Sequence, residues 1–158
     1  MFDVLWNWIY DLPLSTAVRE SWLFPALECI HLYSMIFLIA LVALFDLRLM
    51  GFALEPKPVS HFSRMVRRWV WIPLSMNVIT GVFLFISKPM EYSSNNAFLL
   101  KMLFLFIGVA YHIAVLRRAD RWDDLTVMPL RISALGVFSL CLWIGVLASS
   151  RWIAYVIL

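Results

Sequence analysis

The sequence predicts an all-α integral membrane protein, an antiparallel four-helix bundle with a short interfacial amphipathic helix at its N-terminus. Of its 158 residues, 63% are hydrophobic, and the mean hydropathy is +0.87, whereas soluble domains are about 45–50% apolar. The apolar residues fall into four stretches, each close to the roughly 17–25 residues that an α-helix needs to cross a bilayer. These predicted spans are 22–45, 69–87, 97–116 and 132–149.

The segment before the first span predicts a helix that lies in the membrane interface. Between residues 2 and 12, Phe2, Leu5, Trp6 and Ile9 share one helical face, and Trp and Tyr favour the headgroup zone. The connections between spans are short, which favours antiparallel neighbours. Because few residues remain outside the spans, we expect one transmembrane domain over residues 1–158.

Lysine and arginine are distributed unevenly between the connections, and this predicts the orientation. The first and third connections hold nine of the 13. They are Arg48, Lys57, Arg64, Arg67, Arg68, Arg117, Arg118, Arg121 and Arg131. By the positive-inside rule these connections face the cytoplasm, so both termini are expected on the periplasmic side of a bacterial inner membrane. The net charge of +3 suits contact with the lipid bilayer. The basic residues form no contiguous surface of the kind that binds nucleic acid, so nucleic-acid binding is not predicted.

The strongest local signal is the pair Glu28 and His31, which the i, i+3 spacing places on one face of the first span. His31 lies about 14 Å inside this span, near the bilayer centre. A neutral imidazole there can ligate haem iron or another metal, donate a hydrogen bond or relay a proton. The plainer alternative is structural: Glu28 pairs with Lys101 or Arg151, and His31 bonds a neighbouring helix.

His112 in the third span is a second candidate for a cofactor or metal ligand, or else a structural histidine near the cytoplasmic boundary. Counted from the outer ends of their spans, His112 lies about 9 Å deeper than His31, which disfavours one haem held by both. Met76 on span 2 is a possible sulfur ligand opposite His31, and Asn77, which follows it on that span, is a further candidate for the cofactor site. Thr80 and Gly81 share a face with Asn77, which predicts the side that meets other helices.

Four segments together resemble a bacterial family of small four-span membrane proteins of unknown function. They are WLFPALE at 22–28, FDLRLMG at 45–51, NAFLLK at 96–101 and SRWIAY at 150–155. The resemblance implies the four-span fold and no settled activity. It also implies a motif set of polar residues: Glu28, His31, Asp46, Arg48, Lys101 and Arg151. The spans place Asp46 and Arg48 at the cytoplasmic boundary.

Three functions are compatible with these residues. The leading hypothesis is a small membrane redox component or accessory subunit that binds haem b through His31, with electron transfer favoured over stand-alone enzyme activity. The second is a structural or assembly subunit without a cofactor, which packs against other membrane subunits or copies of itself. The third is a small transporter or proton path through Glu28, His31 and Asn77.

Overall fold

The computed structural model describes residues 2–52, 58–122 and 129–157, and within them the chain is helical with no strand. Four helical segments are long and apolar enough to cross a membrane, so the predicted fold class is confirmed. The helices are α1 Phe2–Tyr10, α2 Pro13–Arg19, α3 Leu23–Leu49, α4 Val59–Trp69, α5 Trp71–Ser87, α6 Pro89–Ser93, α7 Asn96–Leu116 and α8 Leu130–Ile157, with a 3₁₀ turn at Ala119–Trp122.

The N-terminal region forms two short helices, where the sequence predicted one over residues 2–12. The first ends at Tyr10 and the second begins at Pro13, because proline suits the first position of a helix, where its missing N–H has no partner to lose. Trp6 packs edge-on against Phe85, with ring centroids 5.5 Å apart. The Ser15 hydroxyl donates to the Ile86 carbonyl at 2.7 Å, which fastens this region to the end of α5.

Helix α3 ends at a glycine that closes its last turn. Gly51 has a φ of +80°, a left-handed conformation that glycine adopts without strain. The Gly51 N–H donates to the Arg48 carbonyl and the Phe52 N–H to the Leu47 carbonyl, both at 3.1 Å. This pair of bonds is a Schellman motif, and it satisfies carbonyls that the end of the helix would otherwise leave unpaired.

The second span consists of two helices, α4 and α5, separated by a break at Val70. Pro73 lies three residues after the break, and it cannot donate to the Trp69 carbonyl one turn earlier. The two helices still follow one path, and together they form a single apolar segment, Val59–Ser87. The predicted span 69–87 therefore corresponds closely to α5, and α4 extends the same path by 11 residues.

The four long segments pack in the order α5, α3, α8, α7. The core between α3 and α8 contains Leu38, Val42, Trp143 and Val146, and Gly136 lets the two backbones approach: a Cβ there would lie 2.7 Å from the Asp46 carbonyl oxygen. We call the end that carries α1, α2 and α6 the terminal end. The opposite end, with α4 and the 3₁₀ turn, we call the arginine end.

Candidate functional site

Three helices bring polar side chains together in the half of the bundle nearer the terminal end. His31 on α3 lies between Thr80 on α5 and Lys101 on α7. Its Nδ1 is 2.9 Å from Thr80 Oγ1, and its Nε2 is 3.4 Å from Lys101 Nζ. Both ring nitrogens therefore have polar partners, and the imidazole links α5 to α7 across α3.

The Thr80 hydroxyl determines which nitrogen of His31 carries a proton. Thr80 Oγ1 donates its one proton to the Met76 carbonyl at 2.7 Å, so towards His31 it can only accept. Nδ1 is then the N–H donor, and Nε2 of the neutral ring presents its lone pair to Lys101. In this arrangement the Lys101 ammonium donates and His31 accepts.

Two further side chains hold α3 against α5 at this level. Asn77 Nδ2 donates to the His31 carbonyl at 3.1 Å and to Ser34 Oγ at 2.8 Å. Ser34 Oγ donates to the same carbonyl at 2.9 Å. Gly81 lies directly against the imidazole, since a Cβ there would be 3.3 Å from His31 Cε1. The stripe formed by Asn77, Thr80 and Gly81 thus faces α3.

Glu28 lies towards the terminal end and does not form the predicted ion pair with Lys101 or Arg151. Its side chain is exposed and close to α6, where burial and the charges of Glu28 and Glu91 raise the pKa of the Tyr92 hydroxyl. Lys101 turns inward to His31 instead. The Arg151 guanidinium lies over the Tyr155 ring, 5.0 Å from its centroid, on the exposed side of α8.

The candidate cofactor ligands His31, Met76 and His112 do not lie together in the structure. Met76 is 43% exposed, and its backbone carbonyl accepts from the Thr80 hydroxyl. Lys101 lies level with His31, and His112 is eleven residues further along α7, about 16 Å towards the arginine end. Within the described ranges, no group of three or more His, Cys, Asp or Glu side chains could hold a metal ion.

A second polar group lies nearer the arginine end. Asp46 is fully buried and faces Ser139 of α8, and Arg48 is buried as well. Both lie in the last turn of α3, which ends at Leu49 and packs on α4 and α8, so the bundle encloses them; their predicted position at the membrane boundary stays a prediction. His112 is 4% exposed and packs edge-on against Phe45, with ring centroids 5.6 Å apart.

The sequence indicated His31, Lys101 and Asn77 as site residues but missed the part played by Thr80. The i, i+3 spacing of Asn77 and Thr80 indicated that both lie on the inward face of α5. It did not indicate that Thr80 would contact the His31 imidazole. Lys101 lies five residues after the start of α7 and His31 eight after the start of α3, so both were at similar depth. That similarity was the available signal for their contact.

Comparison with known proteins identifies a family and adds no activity. No curated protein and no solved structure matches the chain. The match to the family covers residues 24–156, which takes in all four long helical segments and every residue of the polar site. The chain belongs to a family of unknown function, DUF6644.

Proposed function

We propose that this chain is a proton-handling protein of the bacterial inner membrane, in which His31 and Lys101 exchange a proton. The observation that carries the proposal is the imidazole held between Thr80 Oγ1 at 2.9 Å and Lys101 Nζ at 3.4 Å. Histidine is the side chain best suited to gain and lose a proton near neutral pH. A titratable side chain inside an apolar helix is by default a functional group.

The proposed step transfers one proton between two nitrogen atoms, Lys101 Nζ and His31 Nε2. A proton leaves the Lys101 ammonium and bonds to the lone pair of His31 Nε2, which leaves a neutral amine and a protonated ring whose Nδ1–H still donates to Thr80. Glu28 lies one helical turn before His31, at the exposed terminal end, and supplies an acidic entrance for protons. The clustering of arginine at the opposite end supports a periplasmic location for this entrance.

The experiment is a proton-flux measurement in liposomes that hold a trapped pH dye. His31→Gln retains hydrogen-bonding groups but does not titrate, so we expect flux to fall at least about tenfold. His61→Gln is the matched control, because His61 is exposed on α4, outside the site, and flux should not change. Wild-type flux no greater than that of empty liposomes, with the protein folded by circular dichroism, would contradict the proposal.

Haem binding through His31 is a second candidate, and one feature of the geometry favours it. The Thr80 contact fixes Nδ1 as the donor and leaves the lone pair on Nε2, as the outer hydrogen bond of a metal-bound histidine does. Lys101 then has to withdraw from Nε2 to make room for iron. A bound haem b would supply electron transfer, and the chain would act as a redox or accessory subunit.

An absorption spectrum of the protein purified after expression with ample haem tests this candidate. A Soret band is expected, with His31→Ala lowering haem content far more than the control His61→Ala. Lys101→Ala should raise haem content, because it frees Nε2. The complete absence of a Soret band would remove this candidate. If flux is also absent and the chain co-purifies with other membrane proteins, a structural or assembly role becomes the better interpretation.

A further inference from the structure

A cavity of about 260 Å³ lies between α5 and α7, nearer the arginine end than His31. Leu38 of α3 and Trp143 of α8 line it as well, so residues from all four long segments surround it. Its walls are mostly apolar: they include Val70, Leu74, Val109, Ile113 and Leu116.

Two buried polar side chains line this cavity without hydrogen bonds. His112 is 4% exposed and Trp143 is 2% exposed. Both ring nitrogens of His112 and the Nε1 of Trp143 lack a partner among the described residues. Buried polar atoms are normally paired, and leaving them unpaired is costly. An indole N–H can only donate, and a neutral imidazole has one N–H donor and one acceptor nitrogen, so the two N–H groups lack a hydrogen-bond acceptor.

One wall of the cavity reaches the outer surface of the bundle. Trp71, which lines the cavity, is 55% exposed, on a helix whose outward residues are apolar. On the arginine end the rim is closed by Arg67, whose Nη2 donates to the Leu116 carbonyl at 3.0 Å. A ligand that enters between α5 and α7 therefore comes from the hydrocarbon layer.

We propose that this cavity binds the head group of a lipid-soluble quinone. A quinone carbonyl oxygen accepts from Trp143 Nε1–H and from His112, the flat ring lies between the apolar walls, and the tail leaves between α5 and α7 into lipid. The volume lies just below the roughly 300–1,000 Å³ of pockets for drug-sized ligands, which suits one ring. An anionic lipid would place its phosphate at Arg67 and Arg117 and its acyl chain in the cavity, leaving both donors unmatched.

The test is a titration of decylubiquinone into the protein in nanodiscs of zwitterionic lipid, followed by quenching of tryptophan fluorescence. Saturable quenching is expected in the wild type. Trp143→Phe and His112→Phe each keep an aromatic ring but lose a donor, so the midpoint should rise by about fivefold in each. Trp152→Phe, an exposed residue of α8 outside the cavity, should leave the midpoint unchanged. Dodecylbenzene, which has a tail but no acceptor, should not saturate.

Other results would overturn the proposal. These are the absence of saturable quenching in the wild type, or an unchanged midpoint in both donor variants. Loss of binding in Arg67→Gln, with competition by phosphatidylglycerol, would instead identify an anionic-lipid site. If His112→Phe does not fold, Ile113→Trp provides the decisive measurement: it fills the cavity from a half-buried position, and saturable quenching that persists in it would also contradict the proposal.

Discussion

The Thr80 hydroxyl has one proton, and the Met76 carbonyl takes it at 2.7 Å. That bond makes Thr80 an acceptor for His31 and fixes the lone pair on Nε2. The contact at 3.4 Å with Lys101 depends on this choice, because a proton on Nε2 would place two donors face to face. One threonine on α5 thus determines whether a histidine on α3 can receive a proton from a lysine on α7.

Replacing Thr80 by valine tests this dependence, since valine has the same shape and lacks the hydroxyl. We expect Thr80→Val to lose about 1 kcal/mol of unfolding free energy, because His31 Nδ1–H becomes a buried donor without a partner. Proton flux should fall several-fold, whereas Thr80→Ser should retain both properties. Unfolding in an SDS titration measures the stability. The control is Ser75→Ala on the exposed side of α5, which should leave the flux unchanged. A flux loss in Ser75→Ala equal to that in Thr80→Val would contradict the role assigned to the Thr80 hydroxyl.

At the scale of helices, the sequence predicts depth well and rotation poorly. Each residue advances a helix by 1.5 Å, and the predicted spans put Lys101 near the depth of Glu28, one helical turn from His31. Rotation about the axis is set by which side meets a partner, and α3 is apolar on every side, so its pattern marks no single packing face. Lys101 was therefore expected to meet Glu28, and only the packed helices turn it towards His31.

Helix ends follow from local chemistry, which is why several were predictable. Gly51 was a natural stop for α3, because a left-handed φ of +80° favours glycine. The break at Val70 was missed, although Pro73 was visible, because a proline near the start of a predicted span is tolerated in a first turn. The cavity beside His112 was also beyond sequence reasoning, since it depends on how four helices leave a gap.

Across the whole molecule, the two polar groups lie on opposite sides of an apolar layer. His31 and Lys101 are nearer the terminal end, and His112 lies about 16 Å further along. The core residues Leu38, Val42 and Val146 are almost fully buried and lie along the helices that join the two levels. A proton that passes from His31 to the arginine end has to cross this layer.

The proposed orientation follows from charge at the same scale. The described parts of both arginine-rich connections lie at one end of the bundle, where α4 packs against α3 and the 3₁₀ turn. On the positive-inside rule we propose that this end faces the cytoplasm and that Glu28 is a periplasmic entrance. This orientation can be tested by introducing one cysteine at a time into a variant in which Cys29 and Cys141 are replaced by serine.

In right-side-out spheroplasts, a membrane-impermeant maleimide should label Ser94→Cys, which is exposed near α6 at the terminal end. Arg118→Cys, exposed just after α7, should react only after the membrane is opened. Each variant is the other's control, because one sealed membrane separates them. The reverse pattern would place Glu28 and His31 on the cytoplasmic side, and protons would then enter the site from the cell interior.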